Sequence, residues 1–242
     1  MKPLALLLGI SCSVLVAATP ARAQDQPFAP ESPAPRSGVD RLKSMWRFEL
    51  GYRGAFVSEA GYNPFSTQDY FAQVSMGGSR TVYTRGRFSV APGFSWDYGR
   101  SSATARGDAA SLEVHRLVVS LEGRLHFDAW GYAFARAAPG VALENAEVDE
   151  PTAPAALTKS RWLFATDLSA GYAFPLWPRA ERWDPTPRVW LQADGGYGWI
   201  AAQALNLTPD LSSSDQRLAS GVDLGSLAMR GAFFRVAAAV SF

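Results

Sequence analysis

Gly231–Phe242 reads G-A-F-F-R-V-A-A-A-V-S-F. Counting back from Phe242, the residues Val240, Ala238, Val236, Phe234 and Ala232 form one apolar row, and Ser241, Ala239, Ala237 and Arg235 fall on the opposite face. An alternation of period two with one greasy face is the pattern of a β-strand. The sequence printed here stops on it, which predicts that its last strand is a closing strand.

The same alternation recurs upstream in seven further segments. In Met45–Val57, Trp46, Phe48, Leu50, Tyr52 and Phe56 alternate with Arg47, Glu49, Gly51 and Arg53; a water-soluble sandwich would bury that row equally well. Tyr70–Tyr83 is a weaker, glycine-bearing strand with Arg80 on its outward row. Arg87–Tyr98 carries Phe88, Val90, Phe94, Trp96 and Tyr98 on one face, and Pro92, which lacks an N–H, predicts a bulge or interrupted pairing there. Leu112–Phe127 places His115, Leu117, Val119, Leu121, Leu125 and Phe127 together. Trp130–Glu144 changes parity, with Trp130, Tyr132 and Phe134 on one count and Val141 and Leu143 on the other, so a bulge is expected near Pro139-Gly140. Arg161–Phe174 and Arg188–Ala202 complete the set of eight.

The terminal stretch is similar to the C-terminal assembly signal of bacterial outer-membrane β-barrel proteins, alternating apolar residues that end in an aromatic. The resemblance assigns that role to Phe234, Val236, Val240 and Phe242, and it implies the barrel assembly machinery and outer-membrane lipids as partners. The expected fold is all-β: an eight-stranded antiparallel up-and-down transmembrane barrel over residues 45–242, in the cell outer membrane and monomeric.

The front of the chain agrees. Lys2, an apolar run and Ala21-Arg22-Ala23 read as a secretory signal peptide over residues 1–23, which removes Cys12 and leaves no cysteine in the mature chain. Residues 24–44, rich in Pro, Ala and Gln, read as a flexible periplasmic lead-in or as a remnant of processing. A net charge of +1 gives no field for nucleic acid. No apolar run after the signal reaches eighteen residues, which excludes a helical span but not a barrel, because only alternate barrel residues face lipid.

The connections offer an internal test. With both termini on the periplasmic side, the outward connections are Ser58–Asp69, Gly99–Ser111, Asn145–Ser160 and Gln203–Met229, all long and polar. The inward ones are short apart from Pro175–Pro187. Long outside and short inside is the asymmetry of outer-membrane barrels, and strands of about 12–15 residues suit a tilted span.

If the aromatic rows face lipid, Arg47, Glu49, Arg53, Asp97, Arg116, Glu122, Arg124, Asp167, Asp194 and Arg235 face the lumen. Eight strands leave an interior wide enough only for side chains, where charges must pair. This predicts an ion-paired plug and resembles the interior of the OmpA-type transmembrane domain. The functional expectation is a structural or surface-binding role carried by the outer loops, without a cofactor, metal site or reaction; a narrow pore and a lipid A-modifying enzyme remain as alternatives. His115 and His126 are the only histidines, the first on the apolar row and the second near a short inner turn. Trp46, Trp96, Trp130, Trp162 and Trp199 read as an interfacial girdle, while Trp177 and Trp183 lie in the inner connection. Asp149, Glu150, Asp210 and Asp215 read as solvated loop carboxylates.

Overall fold

The computed structural model describes residues 46–105, 108–127, 131–149, 156–176, 188–209 and 222–242. Residues 1–44, expected as signal peptide and lead-in, and Trp130, Trp177, Trp183, Glu150, Asp210 and Asp215 lie outside them.

The strands are β1 (Trp46–Phe56), β2 (Tyr70–Arg80), β3 (Tyr83–Arg85), β4 (Phe88–Ala105), β5 (Asp108–His126), β6 (Tyr132–Asp149), β7 (Leu157–Pro175), β8 (Arg188–Ile200), β9 (Gln203–Pro209), β10 (Val222–Leu227) and β11 (Arg230–Ser241). Each pairs antiparallel with its neighbours, and β11 pairs with β1 from Arg47–Ser241 to Ala55–Phe233. That pairing shuts the sheet on itself. β3 continues the wall begun by β2, while β9 and β10 extend the hairpin formed by β8 and β11, so the molecule is a closed barrel of eight walls. A closed barrel leaves no backbone edge unsatisfied at membrane depth.

The exterior is apolar. Phe48, Leu50, Phe94, Val119, Leu121, Phe164, Leu168 and Tyr197 all stand exposed on the outside. The interior carries Arg47, Arg53, Asp97, Arg116, Glu122, Arg124, Asp167, Asp194 and Arg235, all buried. This inside-out polarity is that of a protein dissolved in lipid, and closed barrels of this kind are the outer-membrane class. The outer membrane is where this barrel sits. Two aromatic tiers bound the belt. Trp46, Phe88, Phe127 and Phe174 lie toward the end where β1 begins and β11 ends, called the inner end below, and Phe56, Trp162 and Trp199 lie toward the outer end.

Two expectations need correction. First, β4 through β7 run 18 or 19 residues each, beyond the expected 12–15. The stretches expected as loops at Gly99–Ser111 and Asn145–Ser160 are mostly strand, with only residues 106–107 between β4 and β5. β9 and β10 likewise occupy much of the expected loop Gln203–Met229. These segments look polar because their outward side chains stand in water above the membrane, not because they lack pairing. Second, β6 has no bulge at Pro139-Gly140: its register with β7 is unbroken from Tyr132–Ala173 to Val148–Leu157. Tyr132 and Phe134 point inward and are buried, while Val141 is exposed. The apparent change of parity arose from aromatic residues that pack inside the barrel. The interruption expected at Pro92 is present on one side of the strand: β4 runs unbroken against β5, with Pro92 opposite Leu121. The expected interruption lies on its other side, between the Ser79–Gly93 and Tyr83–Val90 pairs, where β2 gives way to β3.

Candidate functional site

The lumen is filled in layers. At the inner end, Tyr132, Phe134, Ala173, Trp190 and Ala239 form a small apolar cluster. Trp190 Nε1 donates to Ser241 Oγ at 2.8 Å, and Ser89 Oγ lies 2.7 Å from His126 Nε2. Guanidinium groups of Arg47 and Arg124 sit 5.5 and 5.0 Å from the Tyr132 ring centroid, and that of Arg136 sits 5.3 Å from the Phe134 centroid. These inward aromatics therefore support cations as well as filling space.

Above them lies the charged region. Arg136 bridges Glu122 at 2.6 Å and Glu49 at 3.2 Å. Arg124 pairs with Glu122 at 2.5 Å and also donates to Thr81 Oγ1 and Ser79 Oγ. Arg235 grips Asp194 through two nitrogens, at 3.0 and 2.8 Å. Higher still, Arg116 lies 2.8 Å from Asp167 and 3.4 Å from Asp97, while Arg53 lies 3.4 Å from Asp167 and donates to Gln73 Oε1. Cross-strand register explains the pairs. Arg116 is opposite Asp97, Arg235 opposite Asp194, and Glu122 opposite Arg136. Directly opposed residues on one face of a sheet share a contact by geometry alone. Arg47 differs from the rest: among the described residues it has no carboxylate partner and donates to Gln192 Oε1.

The outer end is closed by a different chemistry. A 3-10 turn, Ala60–Phe65, follows β1 and inserts Tyr62 and Phe65 into the barrel mouth, both fully buried. They join Phe71, Leu112, Val114, Leu163, Leu205, Leu207 and Leu227 in one apolar cluster. Gly61 of the turn presses against the backbone of Ser226 so closely that a Cβ would collide with its carbonyl oxygen. This contact fixes the path of the chain from Asp223 to Leu227. Asp223 Oδ1 accepts from the Gly225 amide at 2.8 Å, Gly225 takes a φ of 86°, and the strand bends to lay Leu227 into the cap. Such a φ favours glycine because an L side chain is strained there.

One carboxyl sits just above the outer aromatic tier, inside this cap. Glu144 is fully buried, accepts from Gln203 Nε2 at 2.8 Å, and forms no ion pair among the described residues, its cross-strand neighbour Arg161 standing exposed. Burial pushes its carboxyl up to about 8, against a smaller opposing effect of the Gln203 hydrogen bond.

All ten residues expected in the lumen lie on the inner face. Phe234, Val236 and Phe242 are exposed on the outside, Val240 partly so. The Phe242 amide donates to Trp46 O at 2.9 Å, and its ring meets Phe48 edge-on at 6.3 Å. Sequence reasoning missed Arg136, Glu144 and Gln203. Arg136 carried a usable signal: it shares parity with Tyr132 and Phe134, and an arginine on a lipid-facing row should have prompted the opposite assignment. His115 stacks on Trp96 and Tyr98 at the outer tier and bonds Glu113 at 2.7 Å.

The sequence matches no family model and no curated protein. Solved structures of similar shape include Ail, the attachment invasion locus protein of Yersinia pestis, crystallised with the heparin analogue sucrose octasulfate (11% identity, TM-score 0.48, covering 83% of this chain and 99% of that one). Neisserial surface protein A aligns at 12% identity and a TM-score of 0.36, covering 81% of this chain and 94% of its own. The outer membrane protease OmpT of Escherichia coli aligns at 7% identity and a TM-score of 0.41, covering 83% and 97%.

Proposed function

We propose that this protein is a sealed outer-membrane scaffold that works through the surface it raises above the membrane, and that it neither conducts solute nor catalyses a reaction. The observation that carries the reading is the double closure of the lumen. Ion-paired side chains fill the membrane-embedded part, and the Tyr62–Phe65 cap stops the outer mouth. A narrow pore needs a continuous wet path. Beside Arg53 the interior holds a cavity of only about 20 Å³, room for one water.

The raised part of β4 to β7 offers the surface for recognition. Its outward face bears Arg100, Ser102, Thr104, Ser111, Glu113, Asn145, Glu147 and Ser160, on strands braced from within by the apolar cap. Recognition residues on a rigid scaffold are the usual arrangement. Against catalysis stands the environment of the Ser89–His126 pair. It is buried at the inner end, and no described carboxylate bonds the imidazole to orient it. The partners in this reading are the lipids around the belt and, during assembly, the barrel machinery that reads the strand ending at Phe242.

The deciding experiment is single-channel recording in planar bilayers. The purified barrel should insert, as judged by heat-modifiable migration on a semi-native gel, yet leave the bilayer silent. Steady ohmic steps would replace the scaffold reading with the pore. Mass spectrometry of lipid A from cells with and without the protein should show identical profiles, and a new modified species would establish an enzyme instead.

A further inference from the structure

We propose that the inner end of the lumen holds a binding site for one small monovalent anion of the halide class, seated against Arg47. The first ground is charge. The outer half of the network balances, with Arg53 and Arg116 against Asp97 and Asp167. Among the described residues the inner half does not: Arg47, Arg124, Arg136 and Arg235 face Glu49, Glu122 and Asp194. The cation left without an ion pair among the described residues is Arg47, 3% exposed, on which Glu49 and Glu122 act only from farther off. A buried charge without a counter-charge costs several kcal/mol, so a fold that keeps one has reason to recruit a mobile anion.

The second ground is the direction of the hydrogen bonds. A cavity of about 20 Å³ is lined by Arg47, Thr81, Arg124, His126, Tyr132, Trp190 and Ser241, with no carboxylate among them. Among the described residues Arg47 Nε and Nη1 and Tyr132 Oη have no hydrogen-bond partner. Thr81 Oγ1 already accepts from Arg124, and Ser241 Oγ from Trp190, which frees both hydroxyl protons to donate. Arg47 Nε and Nη1 can only donate, and the hydroxyls of Thr81, Ser241 and Tyr132 can each turn a proton into the cavity, which is the polarity of an anion site. Its size admits a single sphere such as a halide or a water and excludes sulfate or phosphate. The cavity beside Arg53 makes the contrast, for there Asp167 forms part of the wall and would repel an anion.

Bromide is the probe. Crystals of the full barrel grown in bromide should give an anomalous peak within hydrogen-bond reach of the Arg47 guanidinium, and no peak there overturns the proposal. In detergent, the heat-unfolding midpoint should stand a few degrees higher in chloride or bromide than in gluconate at equal ionic strength. Arg47→Met should abolish that difference. If this variant does not fold, Tyr132→Phe should reduce it by removing one donor. Equal midpoints for the unmodified protein in all three salts, or an anion effect unchanged in the variants, would overturn the site.

Discussion

The two halves of this barrel obey opposite rules. In the belt, lipid touches Leu50, Val119 and Leu168, and the inside is arginine and carboxylate. Above the outer aromatic tier the same strands turn over in character: Leu112, Val114, Ala142, Ala146, Leu205 and Leu207 face inward, while Ser111, Glu113, Asn145 and Glu147 face outward. Neither the strand nor its pleat changes. What changes is the solvent outside. Below, lipid takes the apolar row and the lumen must satisfy its polar groups internally; above, water takes the polar row and the interior becomes an ordinary hydrophobic core. The tier of Trp96, Tyr98, His115 and Trp162 marks the level of inversion.

The sharpest way to break the comparison is to attack the charged half. Arg116 is the sole ion-pair partner of Asp97 among the described residues and shares Asp167 with Arg53. Arg116→Met should cost about 3–5 kcal/mol, because it strands a buried carboxylate. Adding Asp97→Asn should recover part of that loss. Urea unfolding from lipid vesicles measures both. A cost below about 1 kcal/mol for the single variant would mean that water reaches these groups, and the lumen would not be a dry plug.

The outer surface gives the next test. Leu121 lies mid-belt on β5 and is 57% exposed. Leu121→Arg should cost about 2–4 kcal/mol at this depth in a bilayer. Ser111→Arg, ten residues along the same strand and on the same outward row, should cost about 0–1 kcal/mol, because that row now faces water. Equal penalties at both sites would remove the inversion.

The same inversion explains how far the sequence could be read. Eight walls, closure by the last strand and the inward charges of β1, β4, β5, β7, β8 and β11 follow from period-two alternation, because in the belt each row has one chemistry. The reading faltered wherever a row did not keep that chemistry. In Gly99–Ser111 the outward residues Arg100, Ser102 and Thr104 are polar and the inward ones small, so alternation vanished and strand resembled loop. In β6 the aromatics Tyr132 and Phe134 sit inside against arginines, so aromaticity pointed to the wrong face and hid Arg136. The cap was illegible for another reason: Tyr62 and Phe65 reach Leu205 and Leu227 only once the barrel has closed, and no local pattern encodes a contact between residues so far apart in the chain.

The gentlest test addresses the cap through Glu144. Its carboxyl is raised to about 8 in the folded protein, against about 4.3 in an unfolded chain. Below the unfolded value both states hold the proton, and nothing is lost. Between the two values the folded state keeps a proton that the unfolded state has released, so stability falls as pH rises; above about 8 the loss levels off. The loss is limited by the free energy of lifting the cap, since a locally opened mouth lets the carboxylate hydrate without unfolding the barrel. The expected result is a lower urea midpoint at pH 9 than at pH 5, together with faster deuterium uptake in residues 60–65 after correction for intrinsic rates. Glu144→Gln keeps the shape and the bond to Gln203 once the amide turns its NH₂ away from that donor, and it cannot ionise. The variant should hold its cap at pH 9 as it does at pH 5. If it loosens by the same amount as the unmodified protein, the outer mouth is governed by some other group, and the cap is not the dry core that its neighbours imply.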